Sequence, residues 1–140
     1  MTRIVYVGSF AFVLVGLVLA GCSDSGAESR AGVAYNLQVA RDMLVELKTY
    51  LDEDGYAPEG SSQATMAVAH RTCVMMLPRA VREKSTAQTR KKLIAQATRL
   101  SEAFIKEVTD PLGRDPPNVE VAKDGIDKCL AILDEMAAVR

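Results

Sequence analysis

Apolar residues recur at helical spacing along most of the chain, and in one place, near the start, they run together without a break. From Ile4 to Ala20 no residue is charged, and Val, Leu and Phe predominate. From Val33 onward the pattern becomes a series of single stripes. Val33, Leu37, Ala40, Leu44, Leu47 and Leu51 alternate steps of four and three, which predicts an amphipathic helix over about 33–53. The Gly- and Pro-containing stretch 54–60 punctuates it. Met66, Ala69, Cys73, Leu77 and Val81 form the next stripe, opened by Ser61 or Ser62 as an N-cap. Pro78 falls inside that stripe, where it removes the hydrogen bond to the Val74 carbonyl and predicts a kink.

Ser85-x-x-Gln88 has capping-box spacing and starts a third helix carrying Leu93, Ala97, Leu100, Phe104 and Val108. Residues 110–117, with three prolines and a glycine, read as a loop. A fourth helix begins near Asn118 with Val119, Ala122, Ile126, Cys129, Leu133 and Met136 on one face. Gly125 lies within it at a cost of about 1 kcal/mol relative to Ala. Three short connections make consecutive helices antiparallel neighbours, so the expected fold is all-α, an up-down-up-down four-helix bundle over 33–140.

The uncharged run preceding the bundle has the layout of a secretion signal: a positive start at Met1 and Arg3, an apolar stretch, then small residues. It also approaches the roughly 17-residue lower limit for a membrane span, so an uncleaved anchor is the competing reading. Leu19-Ala20-Gly21-Cys22 decides between them, because it resembles the lipobox of bacterial lipoprotein precursors, the class cut by signal peptidase II, at all four positions. That resemblance implies cleavage after residue 21, a thioether diacylglycerol on Cys22 and a further N-acyl chain such as palmitate. Only a thiol offers the nucleophilic sulfur this attachment needs, and two or three acyl chains hold a protein where one does not. Residues 22–32 then form the lipidated cysteine and a polar, Gly-containing tether; the ten residues 23–32 reach roughly 35 Å when extended. Ser23, rather than Asp, after the cysteine favours the outer membrane over the inner one in a Gram-negative envelope, with the domain facing the periplasm.

Composition bounds the rest. The 140 residues less the 21 of the signal leave 119, enough for one core, and 5% aromatic content with no Trp leaves that core to Ala, Leu, Val, Ile and Met. With 17 basic and 18 acidic residues there is no global bias toward nucleic acid, so none is expected as a partner. Charge is instead uneven along the bundle. Arg79, Arg82, Lys84, Arg90, Lys91 and Lys92 crowd the turn at the tether end, while Asp52, Glu53, Asp54, Glu59, Glu107, Asp110 and Asp115 crowd the other. Anionic head groups would attract the basic end.

With Cys22 assigned to lipid, Cys73 and Cys129 remain, at matching depth on the second and fourth helices, and a disulfide between them is expected in an oxidising compartment. A square bundle opposes it, because those helices are diagonal and a disulfide needs Cα atoms within roughly 7 Å; two free buried thiols are the alternative. Catalytic patterns are absent: His70 is the single histidine, and there is no phosphate loop, HExxH or CxxC. No enzyme activity and no cofactor beyond the lipid are expected. Met66, His70, Cys73 and Met76 lie near one helical face, a soft set that suits copper, or haem in a variant reading, although core filling explains the same residues. The leading expectation is an anchored module that binds a protein partner. In size, anchor and helix count it is similar to the pilotins of bacterial secretion systems. The Met75-Met76-Leu77 run beside Pro78 is the candidate groove.

Overall fold

The computed structural model describes residues 32–140; the signal, the lipobox and the rest of the tether lie outside the described residues. Helix α1 spans Gly32–Asp54. The second rod consists of α2 (Ser61–His70), a π-helical segment Arg71–Met76, and α3 (Leu77–Lys84). The third consists of α4 (Ala87–Phe104), a π-helical segment Ile105–Thr109, and the short α5 (Asp110–Leu112). Helix α6 spans Val119–Ala137. The fold is all-helical, with four helices and no strand among the described residues.

Most of each stripe read from the sequence is core, while Val33, Leu37, Met66 and Val119 are only partly buried against it. Ala40, Leu44, Leu47 and Leu51 of α1, Ala69, Cys73, Leu77 and Val81 of the second rod, Leu93, Ala97, Leu100, Phe104 and Val108 of the third, and Ala122, Ile126, Cys129, Leu133 and Met136 of α6 are all buried in one cluster. Helix α1 packs on the second rod and on α6, and the third rod packs on the same two partners. Ion pairs fix direction and register. Arg41 meets Asp134, Lys48 meets Asp127 at 2.6 Å and Lys123 meets Asp52 at 2.8 Å, so numbers rise along α1 as they fall along α6. Arg99–Glu135 at 2.9 Å and Lys128–Glu107 at 2.5 Å set the third rod antiparallel to α6 in the same way. These are surface pairs, worth about 0–1 kcal/mol each, and they specify register more than they stabilise.

Both prolines that fall within helices follow a widened turn. The first π-helical segment ends two residues before Pro78 and the second two residues before Pro111. In each case the residue ahead of the proline donates five residues back, Leu77 to the Thr72 carbonyl and Asp110 to the Ile105 carbonyl. A proline ring in a regular α-helix collides with the carbonyl four residues earlier, and an i→i+5 turn relieves that collision without ending the helix. Thr72 adds a back-bond to the Val68 carbonyl at 2.9 Å, which loosens the first ladder further. Pro78 thus acts through a π-helical turn. Pro111, expected in a loop, is buried within three further helical residues together with Leu112.

Two capping expectations are corrected. Gly60, not a serine, is the N-cap of α2, and the Ser62 hydroxyl instead accepts from the Ala57 N–H at 3.0 Å. The Ser85–Gln88 capping box does not form: Ser85 ends α3, its hydroxyl donating to the Val81 carbonyl, and Thr86 is the N-cap of α4. Asn118, near the expected start of the fourth helix, is the N-cap of α6, accepting from the Val121 N–H at 3.2 Å.

Gly125 has a role that helix propensity does not convey. It is buried where α6 meets the second π-helical segment, and a Cβ placed on it would lie 2.7 Å from the Glu107 carbonyl carbon and 2.8 Å from the Glu107 Cβ. The obstacle is backbone, which cannot swing aside. Gly125→Ala therefore lowers stability by about 1–3 kcal/mol, despite the gain in helix propensity of up to ~1 kcal/mol. Urea unfolding of the two proteins checks this, and equal midpoints would show that the rods are free to move apart.

Candidate functional site

Four side chains on the second rod are the soft-ligand candidates. Met66 is half-buried at the core margin, His70 is half-buried at the end of α2, Cys73 is fully buried, and Met76 is half-buried at the end of the π-helical segment. The spacing that puts them on one face assumes a uniform 3.6-residue turn, and the i→i+5 turns across Arg71–Met76 break that assumption. His70 faces Phe104 of α4, ring centroids 5.9 Å apart and tilted by 59°, an aromatic contact at the edge of the core. Among the described residues, no three His, Cys, Asp or Glu side chains gather in a way that could hold a metal ion. Cys22, the lipidation candidate, lies outside the described residues.

Cys73 and Cys129 are free thiols, a correction to the expected disulfide. The rods that carry them are the diagonal pair: each packs on α1 and the third rod. Both thiols are buried in the core. Burial pushes the Cys73 thiol far above its ordinary 9.0, and the neighbouring Cys129 adds to the rise. Burial also pushes Cys129 up to about 12, with the Glu107 carboxylate as a second cause. A thiol held this firmly protonated is a poor nucleophile at neutral pH. Near α6, Lys123 holds Asp52 below the usual carboxylate range through their hydrogen bond, and Asp52 and Glu120 together raise Lys123.

Two surface features remain. A shallow groove of about 440 Å³ lies between the third rod and α6, floored by Ala103, Ala131 and Ile132 and bracketed by the Arg99–Glu135 and Lys128–Glu107 pairs. Glu102 and Lys106 complete a rim of three cationic and three anionic side chains, which leaves it without a net formal charge. The second feature is exposed apolar surface on the second rod, where Val68 and Met75 are 47% and 60% exposed. Of the Met75-Met76-Leu77 run, Met75 is open to solvent, Met76 is half-buried and Leu77 belongs to the core. Met75 carried a signal in the sequence; Val68 carried none, because a single exposed valine has no pattern until the burial of its neighbours is known. No helix among the described residues is long and apolar enough to cross a membrane.

Compared with family models, curated proteins and solved structures, the chain matches none of them.

The thiols supply a direct check. In native protein neither Cys73 nor Cys129 reacts with iodoacetamide at neutral pH, and both react after denaturation; a mass showing a bonded pair would reinstate the disulfide. The sign with pH follows from linkage. The folded state keeps both protons while unfolded thiols ionise near 9.0, so this contribution is complete below that pH and is lost as pH rises above it. Unfolding free energies from pH 8 to 10 should fall less steeply in Cys129→Ala than in the parent protein.

Proposed function

We propose that the chain is an envelope lipoprotein, anchored through an acylated Cys22, whose helices form an up-down-up-down four-helix bundle that binds a protein partner without catalysing a reaction. The anchor rests on Leu19-Ala20-Gly21-Cys22 following an uncharged apolar run. The topology is supported by the reversed order of ion pairs between α6 and both of its neighbours. The partner-binding role rests on one observation, the exposure of Val68 and Met75 on a rod whose Ala69, Cys73, Leu77 and Val81 fill the core. An exposed methionine beside a π-helical turn suits an adaptable apolar contact, since Met fits varied partners and such turns concentrate at functional positions. A copper or haem site centred on His70 has no comparable support, because the ring packs on Phe104.

Cys22→Ser tests the anchor. Its expected outcome is loss of metabolic palmitate labelling and release from the membrane fraction, and a variant that remains labelled would sink the assignment. Val68→Asp with Met75→Asp tests the binding face. Both side chains are outside the core, so unfolding midpoints should stay within about 0.5 kcal/mol of the parent. Cross-links formed in intact cells from a photoreactive residue at position 71 should be lost. Unchanged cross-links in the folded double variant would refute the face.

A further inference from the structure

The described chain begins at Gly32, and a Cβ on Gly32 would lie 3.8 Å from the Lys84 Cβ, so the preceding residues join the bundle at the end where α3 gives way to α4. That end is basic. Arg82 and Lys84 in the last turn of α3, and Lys91 and Lys92 near the start of α4, are exposed, and among the described residues none has an acidic side chain within 4.0 Å. Arg90 stands among them and donates to the Ser85 carbonyl at 2.7 Å. The nearby acid Glu83 is already paired with Arg79 at 3.0 Å. At the far end Glu53, Asp54, Glu59, Asp110 and Asp115 are exposed, with Arg114 among them. Helices of about 20 residues separate the ends by ~30 Å, several times the ~8 Å over which charge acts at physiological ionic strength.

From this we infer that the bundle rests on its own leaflet, its 82–92 end held against anionic lipid head groups and its acidic end directed away. The inference rests on the lipoprotein reading, because the acyl anchor is what brings a surface to that end. A tether able to extend tens of ångströms does not by itself set an orientation, and unpaired cations at the point where the chain emerges do. Each basic residue near an anionic surface strengthens association roughly fivefold.

The experiment uses the processed protein purified from membranes, its mass read first for acyl chains on Cys22. Gln88→Cys and Glu59→Cys variants carry a fluorophore, the buried native thiols remaining unlabelled. Each is reconstituted into phosphatidylcholine vesicles containing a lipid-borne quencher, with or without phosphatidylglycerol. The expected result is strong quenching at position 88 only when phosphatidylglycerol is present, weak quenching at 59 throughout, and loss of the difference at high salt or in an R82E/K84E/K91E/K92E variant. Equal quenching at both positions, or quenching at 88 indifferent to phosphatidylglycerol and salt, overturns the orientation while leaving the anchor intact. A mass without acyl chains overturns the anchor, and the orientation with it. A basic end that instead engages an acidic protein would leave position 88 unquenched in both vesicles, which also refutes the inference.

Discussion

The contact between Gly125 and the backbone of Glu107 is the constraint on which the packing of the third rod and α6 depends. Two helices approach so closely only where one lacks a side chain, and here the other has been reshaped as well, since the i→i+5 turns of 105–109 run directly ahead of Pro111. The proline widens the turn and the glycine accepts it. With the two backbones seated, Phe104 and Val108 reach the core beside Ile126 and Cys129, and the ion pairs Arg99–Glu135 and Lys128–Glu107 close over the outside. A residue that costs a helix about 1 kcal/mol in isolation is therefore what allows that helix to dock.

The same arrangement explains the thiols. Each of the four helices packs on two others, leaving Cys73 and Cys129 on rods that face one another only across the centre. Matching depth puts them at one level, near enough for Cys129 to act on Cys73, but they remain unbonded as small apolar core residues. Their burial suppresses ionisation and with it their reactivity as nucleophiles. The interior has also left two polar atoms, Gln96 Oε1 and Thr109 Oγ1, buried without partners, the second of them in the widened turn itself.

The function proposed for this molecule lies outside the core. Its interior is filled mainly by aliphatic side chains and His70 packs on Phe104; the features the proposal draws on are the exposed Val68 and Met75 of the second rod and the charge separation along the long axis. The proposed anchored module needs one end turned to the bilayer and a separate face for its partner. The exposed cations of 82–92 and the exposed Val68 and Met75 are different residues, so the two proposed roles do not compete.

Much of this was legible in the sequence. The 3-4 stepping of Leu44, Leu47 and Leu51, or of Ile126, Cys129 and Leu133, determines which side of each helix is buried, because that periodicity is a property of the α-helix alone. Helix limits were close for α1 and α6, and Asn118 caps as its chemistry predicts. What the sequence could not express was anything decided between helices. Ser85 was free to cap either of two helices and the geometry of the turn chose the first. Pro111 read as a loop residue because nothing local reveals that a widened turn can carry a helix past it. Gly125 read as a weakness until Glu107 was placed against it. Periodicity encodes the environment of a side chain one helix at a time; which backbones approach, and which cysteines lie across a diagonal, depends on residues tens of positions apart and is settled only when the helices pack.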